Sequence, residues 1–242
     1  MEVSYTRRGA GGDLGPVRVS FDEEDLARAR HVAERKVNLV NVHSPGGDRR
    51  SRDVRLRRLI AGKLADHAVS KLLTLYYARN APGFWVQEYD EVRTDQFKQP
   101  DPWDLRCVDP KGNSRLVEVR SSFVHRLNDA ERLWTHPRQS LLGPYQTAAK
   151  SMEAAKDLFW QVAFLRVPAD ESDRGVNLPF RGDARDLPLD AYVMGGGESE
   201  LFDSIGTYEA IAEGAVYRVI RPMSAGRTVG QMLRLSVGLN PQ

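Results

Sequence analysis

PDPWDLRCVDPKGNSRLVEVRSS, residues 100 to 122, spells out a β-hairpin. Trp103 to Val108 supplies one strand and Ser114 to Arg120 the other. Between them, Asp109-Pro110-Lys111-Gly112-Asn113 is turn chemistry. With Lys111 at the centre of the turn, cross-strand partners carry numbers that add to 222, so Asp104 lies opposite Glu118. Directly opposed residues share a face, with Cβ atoms about 4.5–5.5 Å apart. That face carries Asp104, Arg106, Glu118 and Arg120. The other carries Leu105, Cys107, Val117 and Val119, an apolar set suited to a core. Two opposed carboxylates repel, and a fold tolerates them when a cation lies between them.

Upstream of the hairpin, residues 1 to 16 are a Gly-rich, polar lead-in. Ser20-Phe21-Asp22-Glu23 is a capping pattern that opens a helix from Asp22 to Val37, with Leu26, Ala29, Val32 and Ala33 as its apolar stripe. His43 to Asp48 is a loop. A strong helix follows from Arg52 to Arg79, on which Leu56, Leu59, Ile60, Leu64, Val69, Leu72, Leu73 and Tyr76 recur at helical spacing. Asp66 lies within this apolar run, where an acid is costly unless it is paired or bound to metal. Two readings stand side by side for it: an acid of the hairpin's site, or a carboxylate paired with Arg58, Lys63 or solvent. Phe84 to Tyr89 is the first strand before the hairpin.

Downstream, Ser121 to Gly143 is a polar connection. Gly143-Pro144 is expected to start a second helix reaching Leu158, with Gln146, Lys150, Glu153 and Asp157 as one polar stripe. Trp160 to Val167 reads as a central strand buried on both faces. Pro168 to Pro188 is a loop, Asp190 to Met194 and Ala215 to Arg221 are further strands, and Gly195-Gly196-Gly197 is a turn. Arg227 to Val237 is a last strand or a terminal helix. Three segments result: an N-terminal arm and helix (1–53), a core (54–167) and a C-terminal extension packed on it (168–242).

Composition narrows the function class. With 242 residues, 41% hydrophobic and 28% charged, the chain can bury a sizeable core and matches a soluble globular protein. It has no run of about 18 apolar residues of the kind that spans a membrane, and its N-terminus lacks a secretory pattern. Its one cysteine, Cys107, excludes an internal disulfide and a multi-cysteine zinc site. A cytoplasmic location is the expectation. Net charge is only +2, yet Arg49, Arg50, Arg52, Arg55, Arg57 and Arg58 crowd into ten residues, enough for a local phosphate-binding patch. The rival explanation is composition bias, because only seven of the 35 basic residues are lysines. The five histidines show no metal-ligand spacing. Trp85, Trp103 and Trp160 read as core residues, and Trp134 as core or as a base-stacking ring.

Asp104, then Glu118-Val119-Arg120 followed by Ser121 and Ser122, resembles the PD-(D/E)XK nuclease superfamily: an acid on one strand, acid-x-Lys on the next. The departure is Arg120, which stands where the family has lysine. Asp101 spells the literal Pro-Asp of the motif, but Asp104 is preferred because its register matches Glu118. The expected order of helix, three strands, helix and strand is the αβββαβ core of the restriction endonuclease-like α/β fold, a mixed central sheet flanked by helices. The resemblance implies a Mg²⁺- or Mn²⁺-dependent deoxyribonuclease with a role in restriction or DNA defence, acting as a homodimer. It further implies Asp104 and Glu118 as metal ligands with the Val119 carbonyl, and Asp66 as an accessory acid. Arg49, Arg50, Arg52, Ser121, Ser122, Arg126 and Lys150 are the expected DNA contacts.

Arginine stays protonated and cannot serve as a base. Three readings of Arg120 therefore remain open. Arg120 carries out the electrostatic part itself, Lys150 reaches the site in its place, or the site is silent and the domain binds DNA or a protein partner. Outside the resemblance, the acids of an unrelated α/β domain would simply pair with Arg106 and Arg120.

Overall fold

The computed structural model describes residues 3–5, 13–40, 42–43, 49–124, 127–146, 155–165, 190–211 and 215–238. In chain order the elements are β1 (Val3–Tyr5), β2 (Val17–Ser20), α1 (Glu23–Lys36), α2 (Arg52–Asn80), β3 (Trp85–Glu88), α3 (Tyr89–Val92), β4 (Leu105–Val108), β5 (Ser114–Val124), α4 (Ala130–Thr135), β6 (Leu141–Gln146), β7 (Leu158–Leu165), β8 (Asp190–Glu198), α5 (Ser199–Ile205), β9 (Thr207–Ile211), β10 (Ala215–Ile220) and α6 (Val229–Ser236). The fold is mixed α/β. A seven-stranded sheet runs β1-β2-β8-β7-β5-β4-β3, and a three-stranded sheet runs β6-β10-β9. Every pairing is antiparallel except β5 with β7. The larger sheet takes strands from all three sequence segments, so its core reaches beyond 54–167. No helix among the described residues is long and apolar enough to cross a membrane.

The hairpin has the expected register, with Leu105 opposite Val117, Arg106 opposite Leu116, Cys107 opposite Arg115 and Val108 opposite Ser114. Its turn is tied by Asp109, whose carboxylate accepts the N–H groups of Lys111 and Asn113, both at 2.8 Å. Strand β4 starts at Leu105, two residues later than expected; at Asp104 the bonding to β5 is irregular, its N–H going to the Val117 carbonyl and its carboxylate taking the Val119 N–H.

Helix α2 spans 29 residues and lies across one face of the larger sheet. Its expected apolar set is in that core: Ile60, Leu64, Val69, Leu72 and Leu73 are buried with Leu105, Cys107, Val117, Trp160 and Val162, and Leu56, Leu59 and Tyr76 pack at the margin. The capping box of α1 is formed by Asp22 and Asp25, while the Ser20 hydroxyl binds Asp190 at 2.6 Å. Strand β7 is buried along its whole length. Alternation sends Leu158, Trp160, Val162 and Phe164 toward α2, and Phe159, Ala163 and Leu165 toward a second core. That second core also holds Leu133, Trp134, Leu141 and Phe202. Trp134 is therefore a packing residue, and base stacking does not fit its burial.

The expected helix does not start at Gly143. Leu141–Gln146 is strand β6, paired with β10, and residues 147–154, Lys150 among them, lie outside the described residues. Gly143-Pro144 marks an irregularity in that pairing, on an edge strand that tolerates a missing N–H. The ring of Phe202 lies where a Cβ on residue 143 would be, 2.4 Å from its position. Within the described residues, the β5–β7 connection carries only the short helix α4. The triple glycine is likewise strand, not turn. Gly195 has φ +119 at a register shift between β7 and β8. Gly196 exchanges main-chain hydrogen bonds with Arg227 at 3.0 and 2.8 Å, and a Cβ there would meet the Phe159 carbonyl oxygen at 1.9 Å. Gly196→Ala is expected to lower stability by about 3 kcal/mol in urea unfolding, because the obstacle is backbone on a central strand.

Candidate functional site

At the mouth of the hairpin, Asp104 joins three elements. Its N–H donates to the Val117 carbonyl at 3.1 Å, and its carbonyl accepts from Tyr89 N–H at 3.0 Å. Its carboxylate Oδ2 accepts the Val119 N–H at 2.7 Å. Continuing the register sets Asp104 across from Glu118, and the two carboxylates feel each other's charge. Glu118 Oε1 accepts from Arg120 Nη1 at 2.9 Å, and Glu118 Oε2 lies 3.7 Å from Lys156 Nζ. Asp66 comes to the same region from α2. It is 4% exposed, its Oδ2 is 2.6 Å from Lys63 Nζ, and Asp104 acts on it electrostatically. Three acids far apart in sequence are thus coupled at one end of the sheet.

Burial, joined by the negative charge of Glu118, pushes the Asp104 carboxyl up to about 7 against the opposing pull of Lys63, the Val119 N–H and Arg120. Burial likewise pushes Asp66 up to about 7, with Asp104 and Glu88 adding to it and Lys63 opposing. Burial works against the charge on Lys63, but Asp66, Asp90 and Asp104 outweigh it and hold its pKa above the ordinary lysine value. Lys63 also contacts Asp90 Oδ2 at 2.5 Å. From there an ion network runs outward. Arg93 binds Asp90, Asp95 and Asp101 at 3.0, 2.8 and 2.6 Å, and Lys36 pairs with Asp101. Asp101 is thus engaged in this network, and Asp104 is the aspartate beside Glu118.

The sequence-predicted site residues divide accordingly. Asp104 links part of the set: its carboxylate takes the Val119 N–H, and it is coupled electrostatically to Asp66 and to Glu118, which pairs with Arg120, while alternation puts Glu118 and Arg120 on the face of β5 away from α2. Arg106 turns to Gln87 and to the Trp103 ring, 5.3 Å from its centre. Ser122 accepts a hydrogen bond from the buried Gln161 at 2.9 Å, so it ties β5 to β7. Ser121 falls on the α2 side by alternation with Val119 and Phe123. Arg126 and Lys150 lie outside the described residues. Arg49, Arg50, Arg52 and Arg55, with Val42 and Ser51, line a cavity of about 460 Å³ at the start of α2, whereas Arg57 pairs with Asp53 at 2.7 Å.

Arg120 is enclosed. Its guanidinium carbon lies 5.0 Å from the centre of the Tyr145 ring, 5.6 Å from Tyr217 and 5.9 Å from Phe159. Tyr145 and Tyr217 are stacked on each other, and Arg120 Nη2 donates to the Gly143 carbonyl at 3.4 Å. Reading β6 as a helix hid this box, since β6 and β10 supply two of its rings. Lys156, Gln161 and the buried pair of His67 Nδ1 with Glu88 Oε1 at 3.0 Å were also missed. For Lys156 a signal existed: a lysine two residues ahead of a strand that is apolar but for Gln161 has little access to water.

Among the described residues no three His, Cys, Asp or Glu side chains form a group able to hold a metal. What the site offers is a pair of carboxylates, Asp104 and Glu118, beside the Val119 peptide. These are hard oxygen donors, and Mg²⁺ commonly uses one or two protein carboxylates and keeps several waters. Burial and the charge of Glu118 raise Asp104, so a cation beside it would lower the cost of its charge, and the donor chemistry fits a divalent cation.

No family model matches the chain, and no solved structure matches it. The chain is similar to an uncharacterized protein of Methanocaldococcus jannaschii, MJECS01. The two are 22% identical over 244 residues, covering 90% of this chain and 84% of that protein.

Proposed function

We propose that this protein is a Mg²⁺- or Mn²⁺-dependent DNA endonuclease of the PD-(D/E)XK type, acting in the cytoplasm as a homodimer in restriction or DNA defence. The observation that supports it is the position of Asp104, at the entry to β4, coupled electrostatically both to Glu118 on β5 and to Asp66 on α2, beside a hairpin that keeps the motif register. The order of α2, β3, β4 and β5, with β7 parallel to β5, supports a restriction endonuclease-like core.

Phosphodiester hydrolysis forms one P–O bond to water and breaks one P–O bond to a sugar oxygen, which leaves with a proton. Asp104 and Glu118, with the Val119 carbonyl, would hold the metal, and Asp66 would orient water. When bound, the cation supplies charge at phosphorus and a more acidic water. Val119 N–H fixes the Asp104 carboxylate, and Arg120 fixes that of Glu118. Both ligands are thus set before substrate arrives. Incubating the protein with supercoiled plasmid and phage DNA, modified and unmodified, with Mg²⁺, Mn²⁺ or EDTA tests the reading. Nicked or linear products that appear only with metal are expected.

A second reading has its own support. Lys63, Arg120 and Lys156 already set three positive charges among three acids, which suits a silent domain that binds DNA or a partner protein. Absence of cutting under every condition, with DNA binding retained, would favour it. In both readings the arginine-lined cavity engages phosphate. Replacing Arg49, Arg50 and Arg52 with alanine is expected to weaken DNA binding regardless of sequence. The log–log salt slope should flatten by about 0.9 for each phosphate no longer neutralised, measured by fluorescence anisotropy. Unchanged affinity at low and high salt would return the cluster to composition bias.

A further inference from the structure

Three cations lie among the acids, and they are held in different ways. Lys63 sits between two carboxylates, at 2.6 Å from Asp66 and 2.5 Å from Asp90, and is a counter-ion of the α2 network. Arg120 has its guanidinium inside three aromatic rings, with one nitrogen on Glu118 and another near a main-chain carbonyl. A planar fork so enclosed orients Glu118; turning toward a phosphate would mean leaving all three rings.

Lys156 differs. Its main chain is anchored where β5 and β7 begin to pair. Next to it, Asp157 donates its N–H to the Leu116 carbonyl at 2.9 Å and accepts the Leu116 N–H on its carboxylate at 2.6 Å. The Lys156 carbonyl accepts the Ser199 hydroxyl, and Ser199 N–H donates to the Asp157 carbonyl at 3.2 Å. From this fixed base the side chain, 2% exposed, runs to Glu118 Oε2, with 3.7 Å between that oxygen and Nζ, while Arg120 Nη1 donates to Oε1. Burying an ammonium is costly, so a position that retains one beside a paired carboxylate calls for a reason. An ammonium on a four-carbon stem can move its charge by rotation, which a caged guanidinium cannot.

We infer that Lys156, reaching in from the start of β7, supplies the positive charge at the reacting phosphate that the motif lysine would supply from position 120. Arg120 is then a positioning residue that acts through Glu118. The inference rests on the nuclease reading. It assigns the role to a residue on the strand parallel to β5, and Lys150 is not needed for it. The side chain acts by charge, and no proton is taken from it.

Lys156→Met and Lys156→Gln test it, with Lys156→Arg as the conservative variant and thermal unfolding as the check on folding. Expected are a fall in kcat of about 10²–10³-fold for Met and Gln, the scale for removing one donor aimed at developing charge, little change in KM, and partial recovery with Arg. A second readout needs no turnover. Mn²⁺ binding to the DNA-free protein, followed by the electron paramagnetic resonance of free Mn²⁺, should be as tight as wild type or tighter, because a like charge has been removed from beside Glu118. If Mn²⁺ binding weakens in step with cleavage, Lys156 merely holds Glu118 and the inference fails. Cleavage within about threefold of wild type in a folded Gln variant also overturns it and leaves the nuclease reading standing. A wild-type protein that cuts no DNA under any condition overturns both.

Discussion

Asp104→Asn is expected to abolish metal-dependent cleavage and to make the protein more stable at pH 8. The first effect follows from removing a carboxylate that would hold the metal, a loss of about 10³-fold or more. The second follows from the same carboxylate's position. Asparagine keeps an oxygen to accept the Val119 N–H, so the bond at 2.7 Å can persist. What disappears is a buried negative charge facing Glu118 and Asp66. The folded-state pKa of Asp104 is about 7, against 3.8 for the ordinary group. Well below pH 3.8 the carboxyl is protonated in folded and unfolded chains alike and contributes no difference. Between pH 4 and 7 the unfolded chain releases a proton that the folded chain retains, so stability falls as pH rises. Above 7 the penalty is complete.

The stability gain of Asp104→Asn should therefore be near zero at pH 4 and on the order of 2 kcal/mol at pH 8, measured by urea unfolding at both. Mg²⁺ adds a further separation. By mass action it stabilises the protein that binds it, so millimolar Mg²⁺ should raise the melting temperature of wild type and leave that of Asp104→Asn unmoved. A variant less stable than wild type at pH 8 would mean that the Asp104 charge is a structural asset. The reading of Asp104 as a buried, under-neutralised acid would then fall.

The hairpin was legible because two independent local codes agree in it. Asp109 to Asn113 sets the turn, and the alternation of Leu105, Cys107, Val117 and Val119 sets the faces, so the register was determined within 23 residues. Asp66 was legible for another reason. An acid on a buried helix face needs a partner, and it has one of those weighed, Lys63 at 2.6 Å, with Asp104 as a like charge beside it. Position 143 was not legible. Gly-Pro ahead of a polar periodicity is a fair helix start, and only the Phe202 ring, some sixty residues away, shows why glycine is required in a strand. The triple glycine misled in the same way, since its requirement comes from the Phe159 and Arg227 main chains. The cage around Arg120 depends on β6 pairing with β10, a long-range pairing that periodicity cannot report. Local codes therefore revealed the acids, and tertiary packing decided which cations serve them.

Arg120→Ala is the second large effect, and its signature should differ from that of Lys156. Removing the guanidinium empties the space between Tyr145, Tyr217 and Phe159 and takes from Glu118 a partner at 2.9 Å. Breaking one side of a largely buried ion pair costs about 3–5 kcal/mol, and loss of the attraction to the three rings acts in the same direction. Arg120→Lys keeps a charge but loses the fork and the stacking, so it should fall between wild type and alanine in both stability and cleavage. The double variant Glu118→Gln/Arg120→Ala should be less destabilised than the two single changes added together, because no carboxylate is left behind without its guanidinium. Cleavage should vanish in Arg120→Ala while DNA affinity stays within about threefold, since the arginine-lined cavity at the start of α2 is untouched. Mn²⁺ binding is the discriminating measurement. A residue that acts through Glu118 should weaken it when removed, whereas removal of Lys156 should not. Arg120→Ala with intact Mn²⁺ affinity and abolished cleavage would instead put the guanidinium on the phosphate, and Lys156 would lose its assignment.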